Sequence, residues 1–298
     1  MTTGPRIGID LGGTKIEGVV VSGAHEATRI VERERIPTEA TAGYDHILER
    51  VARLVERLDD RIGEKAPIGV GMPGSITAGG LVKNSNTVCL NGTRFREDLK
   101  QRVGRNIAFA NDANCFALAE ATLGAGVGYD MVFGVIMGTG TGGGLVINGM
   151  MREGPQSICG EWGHMVLWPS SDRRCYCGEA GCVETYLAGP WIERDHAGMG
   201  GGELRLPDII ERRRGGDPVA QRCVETWLDA YGRAMANVIN ILDPDVVVLG
   251  GGVSNADCLY DEGVAKVAEH IFSDELTTPI LRHRIADSAG VIGAALLV

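Results

Sequence analysis

Arg6-Ile-Gly-Ile-Asp-Leu-Gly-Gly-Thr-Lys-Ile-Glu-Gly-Val-Val-Val21 reads as a strand, a two-glycine turn and a strand back. Arg6 to Leu11 is the outgoing strand and Ile16 to Val21 the return, with a third strand over Thr28 to Ile36. The pattern restarts in mid-chain. Met131 to Met137 is a strand, Gly138-Thr-Gly-Thr-Gly-Gly-Gly144 a glycine turn, and Leu145 to Ile147 the strand returning. Two halves that open alike point to a structural duplication, two α/β lobes facing each other.

The elements between fit that plan. Ile47, Val51, Leu54, Val55 and Leu58 recur at helical spacing and predict an amphipathic helix over 43–62. Strands are expected at Ile68 to Met72, stopped by Pro73-Gly74, and at Ile107 to Ala110, with helices over 94–103 and 113–123. Helices are predicted over 190–195, 206–214 and 217–241, the last with Val224, Leu228, Tyr231, Met235, Val238, Ile239 and Leu242 on its apolar face. A buried strand over Asp245 to Leu249 ends in Gly250-Gly251-Gly252; a helix over 258–273, a strand over 280–285 and a small-residue helix over 288–297 follow.

Composition narrows the class. The 298 residues are 44% hydrophobic and 23% charged, with a net charge of −10, so a soluble globular protein is expected and nucleic acid is a poor default partner. No apolar signal segment precedes Arg6 and no run reaches the ~18 residues of a membrane span. Eight cysteines without a signal segment point to the reducing cytoplasm, where a cluster reads as a metal site rather than disulfides. The 44 glycines, about twice the average share of roughly 7%, cluster at 12–13, 138–144, 200–202 and 250–252, as for backbone approaching a ligand or turning tightly.

Six sets of residues carry chemistry. Asp10, Gly12, Gly13, Thr14 and Lys15 make a strand-end carboxylate beside a glycine turn, suited to phosphate and magnesium, although an ordinary hairpin would look similar. Gly138, Thr139 and Gly140 open the second such loop, and two loops in two lobes fit a nucleotide between them. Gly250, Gly251 and Gly252 fit the face of a base or ribose. Asp112 stands at the carboxyl end of a strand just before a helix, where it is either a helix N-cap or the carboxylate that accepts the proton of an alcohol under phosphorylation. His164, Cys175, Cys177 and Cys182 complete a tetrahedral four-ligand set, the closed form of a structural Zn²⁺ site. One nitrogen of His164 can hold the metal while the other donates to substrate. Glu161 and Glu184 bracket the cluster as acceptors for vicinal sugar hydroxyls. Cys89, Cys115, Cys159, Cys223 and Cys258 read as small core residues.

Asp10-Leu-Gly-Gly-Thr-Lys15, Asn111-Asp-Ala-Asn114, the glycine loop 138–144, Glu161-Trp-Gly-His164 and Cys175-x-Cys-Gly-x2-Gly-Cys-x-Glu184 occur in that order. In this the chain resembles the ROK family (repressors, open reading frames and kinases) of sugar kinases, from residue 6 to residue 297. The resemblance implies an α/β, two-lobed, ribonuclease-H-like fold, shared with actin and the heat-shock ATPases, with the active-site cleft between lobes. It implies a smaller lobe over 1–112 with 286–298 packing back, and a larger lobe over 113–285 holding the zinc loop 164–182. It also implies ATP, Mg²⁺ and structural Zn²⁺, Asp112 as general base, and Gly74, Asn111, Glu161, His164 and Glu184 as sugar ligands. Asp10 would organise magnesium, and Thr14, Lys15, Gly138 and Thr139 would face the phosphates. A homodimer is expected from relatives. Lys83-Asn-Ser-Asn-Thr-Val-Cys-Leu-Asn91-Gly is similar to the fructokinase and mannokinase branch, which adds Asn91 as a sugar ligand, although Cys89 stands where relatives carry Trp. The expected activity is therefore ATP-dependent phosphorylation of the 6-hydroxyl of fructose, or of mannose or glucose, with N-acetylglucosamine as the alternative. Repressors of the family carry a DNA-binding module ahead of the first loop; with that loop at residue 10 the expectation is an enzyme.

Overall fold

In the computed structural model, which describes residues 3–298, the opening stretch folds as read. β1 (Arg6–Leu11) pairs antiparallel with β2 (Lys15–Ser22), setting Asp10 opposite Glu17 and Leu11 opposite Ile16. The turn closes by the N–H of Gly12 donating to the carbonyl of Lys15 at 3.0 Å. β3 (Arg29–Pro37) adds antiparallel to β2, and its alternating exposure marks a sheet edge with one wet face. α1 (Tyr44–Ile62) buries Ile47, Val51, Leu54, Val55 and Leu58 on one stripe. Each large side chain so buried contributes about 1.5–3 kcal/mol, which holds the helix on the sheet.

β4 (Ile68–Met72) lies parallel to β1, a hairpin of β5 (Ser75–Ile76) and β6 (Val82–Lys83) follows, and α2 (Phe95–Val103) leads to β7 (Ile107–Asn111), parallel to β4. The first sheet thus has the order β3-β2-β1-β4-β7. α3 (Asp112–Leu123) starts directly at its edge.

The second half repeats the plan. β8 (Met131–Met137), β9 (Thr141–Ile147) and β10 (Met150–Met151) run in succession. β9 begins at Thr141, not at Leu145, so Gly142, Gly143 and Gly144 are strand residues. A β-carbon on Gly143 would lie 2.9 Å from both Phe133 and Trp162, and one on Gly144 2.8 Å from the backbone of Asn114. Much of the glycine run therefore serves close packing rather than a turn.

α4 (Glu184–Leu187), α5 (Gly189–His196), α6 (Leu206–Arg214) and α7 (Pro218–Leu242) follow. α7 starts where Asp217 accepts hydrogen bonds from Val219 N and Ala220 N at 2.8 and 3.0 Å, with Pro218 in the first turn. The glycines at 200–202 fold round a buried side chain: a β-carbon on Gly201 would lie 2.2 Å from the ring of His196. β11 (Val246–Gly250) is wholly buried and lies parallel to β8 and to β12 (Ile280–Arg282), giving the order β10-β9-β8-β11-β12. The two sheets share one strand plan, so the duplication extends to five strands in each and the fold is the ribonuclease-H-like one. The helix expected over 258–273 is much shorter, α8 (Glu262–Ala268). Asp261 takes non-helical angles and caps Glu262 N with its own carboxylate at 2.6 Å.

α9 (Ala289–Ala295) packs on β1, β4 and α3 through small residues on both sides. A β-carbon on Gly8 would meet Val291 O at 2.1 Å, one on Gly69 would meet Ala294 O at 1.8 Å, and one on Gly293 would meet Cys115 O at 1.8 Å. The chain divides into two compact units, Met1–Val127 with Gly144–Cys159 and Ile285–Val298, and Gly128–Gly143 with Gly160–Arg284. This differs from a boundary at 112, because α3 packs against α9 and stays with the first sheet. Of the scattered cysteines, Cys115, Cys223 and Cys258 are buried as expected, whereas Cys89 and Cys159 are only partly so. Among the described residues, no helix is long and apolar enough to cross a membrane.

Candidate active site

The first unit supplies two carboxylates. Asp10 lies on β1 and Asp112 is the first residue of α3. Asn111, not Asp112, is the N-cap: its Oδ1 accepts from Ala113 N at 2.9 Å, and its Nδ2 donates to Gly74 O at 3.0 Å. Asp112 Oδ1 also accepts from Ala113 N at 2.9 Å. Burial, and then the charges of Asp112 and Glu17, push Asp10 up to about 6, against the pull of Lys15. A buried carboxylate in the field of a second suits a dication. Gly74 takes φ +84°, and a β-carbon there would meet Lys83 O at 2.4 Å and Ser85 N at 2.7 Å, so only glycine fits.

Asn91 is exposed, and its side chain clamps its own loop: Oδ1 accepts from Ser85 N and Nδ2 donates to Ser85 O, both at 2.9 Å. That loop brings up residues the sequence reading passed over. Asn86 Oδ1 and Thr87 Oγ1 are the nearest atoms to a β-carbon placed on Gly13, at 3.7 and 3.9 Å, and among the described residues the buried Thr87 hydroxyl has no hydrogen-bond partner. Only a polar loop segment signalled them. Gly13, Thr14 and Lys15 are exposed on the turn, and Gly12 O and Thr14 O tie it to Thr38.

The second unit gathers Glu161, His164 and Glu184. Trp162, buried between Glu161 and Gly163, fixes this segment: its Nε1 donates to Gly142 O at 2.9 Å and its ring meets Phe133 edge-on. Glu184 opens α4, is 8% exposed, and accepts at Oε2 from Thr141 N at 2.9 Å. Gly140 lies against that carboxylate, since a β-carbon there would sit 2.7 Å from Glu184 Oε2. Gly138 and Gly252 instead face open space, with nothing nearer to a β-carbon on Gly138 than Gly252 N at 4.0 Å. A cradle that a side chain would fill suits a nucleotide. Gly250 lies in β11, Gly251 is pressed against Met137, and Thr139 is exposed.

His164, Cys175, Cys177 and Cys182 come together on this unit, with one ligand atom of each within 4.8 Å of all the others. Cys177 Sγ and Cys182 Sγ are 3.6 Å apart, and Cys175 Sγ lies 3.5 Å from His164 Nδ1. Tetrahedral zinc with bonds of about 2.0–2.3 Å spans edges of roughly 3.5–3.8 Å, so the set fits that ion. Two short bridges, Val166 with Cys182 and Arg174 with Ala180, shape the loop. Burial and the neighbouring Cys177 push the Cys182 thiol up to about 12. A dication would reverse that and hold thiolates. His164 Nε2 lies 3.0 Å from Tyr176 Oη, a neighbour the sequence reading did not name.

Residues 6–298 match the ROK family. The chain belongs to that family. It is 38% identical to an N-acetyl-D-glucosamine kinase of Salmonella typhimurium, over 97% of this chain and 98% of that one. It is 36% identical to the N-acetylgalactosamine kinase AgaK of Shewanella sp. ANA-3, over 97% and 95%. Among solved structures, the ROK hexokinase of Thermus thermophilus superimposes with a TM-score of 0.88 at 33% identity, covering 99% of this chain and 97% of that one. The ROK motifs thus lie on both compact units, the two carboxylates on the first and the glutamate–histidine–cysteine set on the second.

Proposed function

We propose that this chain is an ATP-dependent sugar kinase that phosphorylates the 6-hydroxyl of an N-acetylated hexosamine, N-acetylglucosamine first. One observation carries the substrate class. Two relatives at 36–38% identity, matched over nearly their whole length, are named as kinases of N-acetylated amino sugars. That favours the N-acetylglucosamine alternative over the fructose expected from the segment 83–92, where Cys89 already departed from the fructokinase pattern.

In this reading Glu161, His164 and Glu184 receive sugar hydroxyls, with Asn111 and Gly74 shaping the first unit's part. Asp112 accepts the proton of the attacking hydroxyl; its carboxylate is fixed by Ala113 N, so it is aimed before substrate arrives. Mg²⁺, when bound near Asp10, supplies charge neutralisation on the phosphates. Gly13, Thr14 and Lys15 receive phosphate, and Gly138 with Gly252 leaves room for the nucleotide. Zinc on the four-ligand set stiffens the loop that carries Glu184. A cytoplasmic homodimer completes the proposal.

The test is a coupled ADP-release assay on N-acetylglucosamine, N-acetylgalactosamine, fructose, mannose and glucose. N-acetylglucosamine is expected to lead fructose in kcat/KM by about tenfold or more, a discrimination of roughly 1.4 kcal/mol. A preference for fructose overturns the substrate assignment. Asp112→Asn should lower kcat by about 10²–10⁴-fold with sugar binding little changed; near-normal turnover overturns the assignment of the base.

A further inference from the structure

The His164 ring divides between two tasks. Nδ1 is turned to the cysteine cluster, 3.5 Å from Cys175 Sγ, and Nε2 points away from it, to Tyr176 Oη at 3.0 Å. With Nδ1 committed to a metal, the ring proton sits on Nε2, which then donates. The nitrogen expected to meet substrate is therefore already occupied by a side chain.

Tyr176 lies between two of the metal-ligand cysteines, so its Cα is anchored by the loop. Cys175 N donates to Glu179 O at 2.9 Å and Gly178 N to Cys175 O at 3.1 Å. Its side chain is otherwise little covered: the residue is 69% exposed, and its ring meets the His164 ring edge-on at 5.1 Å. The hydroxyl is thus bonded to a histidine assigned to the sugar.

We propose that Tyr176 is a specificity-determining residue whose hydroxyl takes the place of a sugar hydroxyl on His164 Nε2 in the sugar-free chain. The inference rests on the sugar-kinase reading above. A mostly exposed ring held by one neutral hydrogen bond is displaced at small cost, and the anchored Cα keeps the displaced ring at the rim of the site. A sugar must out-compete the phenol. Tyr176 therefore lowers by one common factor the affinity of each sugar whose hydroxyl takes His164 Nε2, and leaves a ligand that does not reach His164 unaffected.

Tyr176→Phe tests this, because it removes the oxygen and keeps the ring. N-acetylglucosamine, glucose and fructose are titrated calorimetrically into the zinc-loaded wild type and variant, with zinc content measured on each and kcat and KM followed in parallel. In the variant, the Kd and KM of the bound sugar should fall together about three- to tenfold, the worth of one neutral hydrogen bond. The value of kcat should stay within about twofold, with zinc retained. Unchanged or weaker sugar binding overturns the inference alone, as does loss of zinc, which would make Tyr176 a brace of the metal loop. A wild type that binds none of the three sugars overturns the sugar-kinase reading, and the inference with it.

Discussion

Glu184 Oε2 accepts a 2.9 Å hydrogen bond from the backbone N–H of Thr141. One end of the glycine loop thereby holds a carboxylate that follows the histidine–cysteine set by two residues. Gly140 is small because that carboxylate lies over it.

Gly140→Ala should therefore act on sugar binding before it acts on the fold. The added methyl meets only the far end of a flexible side chain, so the melting temperature should change little. Displacing Glu184 removes a charge-assisted contact, and sugar KM should rise by about tenfold. Initial-rate kinetics beside a thermal melt check this; a variant with normal KM would separate the loop from the carboxylate.

Asp10 links stability to pH. Its folded value of about 6 lies above its unfolded value near 4, so between those values the folded chain holds more proton than the unfolded one. Stability of the metal-free chain should then fall as pH rises from about 4 to 6 and stay lower above it, by about 3 kcal/mol at most from this group. Asp10→Asn should flatten that part of the profile, raise the melting temperature at pH 7.5 and abolish most turnover. Melts across pH decide it: a variant less stable than wild type at pH 7.5 would contradict the burial argument.

Gly8→Ala should disrupt the seating of α9. A β-carbon there meets the backbone of Val291 and Ala295 at 2.1 and 2.7 Å, and backbone cannot swing aside. Overpacking of this kind costs about 1–3 kcal/mol or more, read as a lower denaturation midpoint. An unchanged midpoint would mean that the helix is not held by this contact.

Metal removal should loosen the second unit's ligand set. Metal analysis should give about one zinc per chain. A strong chelator, or Cys182→Ala at the fully buried ligand, should raise sugar KM and lower the melting temperature, with ATP affinity much less affected. Full activity and an unshifted melt in metal-free protein would rule out a structural zinc.

Much of this was legible in local sequence. The periods of α1 and α7, the β1–β2 hairpin and the clustering of three cysteines with His164 within 19 residues are short-range signals, since helix and strand faces and metal-ligand spacing repeat along the chain. Local sequence misled where one residue type has two uses. Glycine marks both a ligand-facing loop and a close-packed strand, so β9 looked like a turn. Asn91 was read for its sugar-binding segment, and its side chain also clamps that segment on Ser85, a use that residue type alone did not signal. The late start of α8 within 258–273 hinged on the backbone angles of one residue, Asp261.

The sequence by itself determined the family, the two strand–turn–strand openings and the membership of the metal set, because these depend on residue type and order. Tertiary structure decided how the sites are held. It gave the N-cap to Asn111 and made Asp112 the first residue of α3; it set Gly140 under Glu184; it turned one nitrogen of His164 to the cysteines and the other to Tyr176. Those outcomes depend on which backbone passes within about 3 Å of which, a distance set only when sheets and helices from remote parts of the chain pack together.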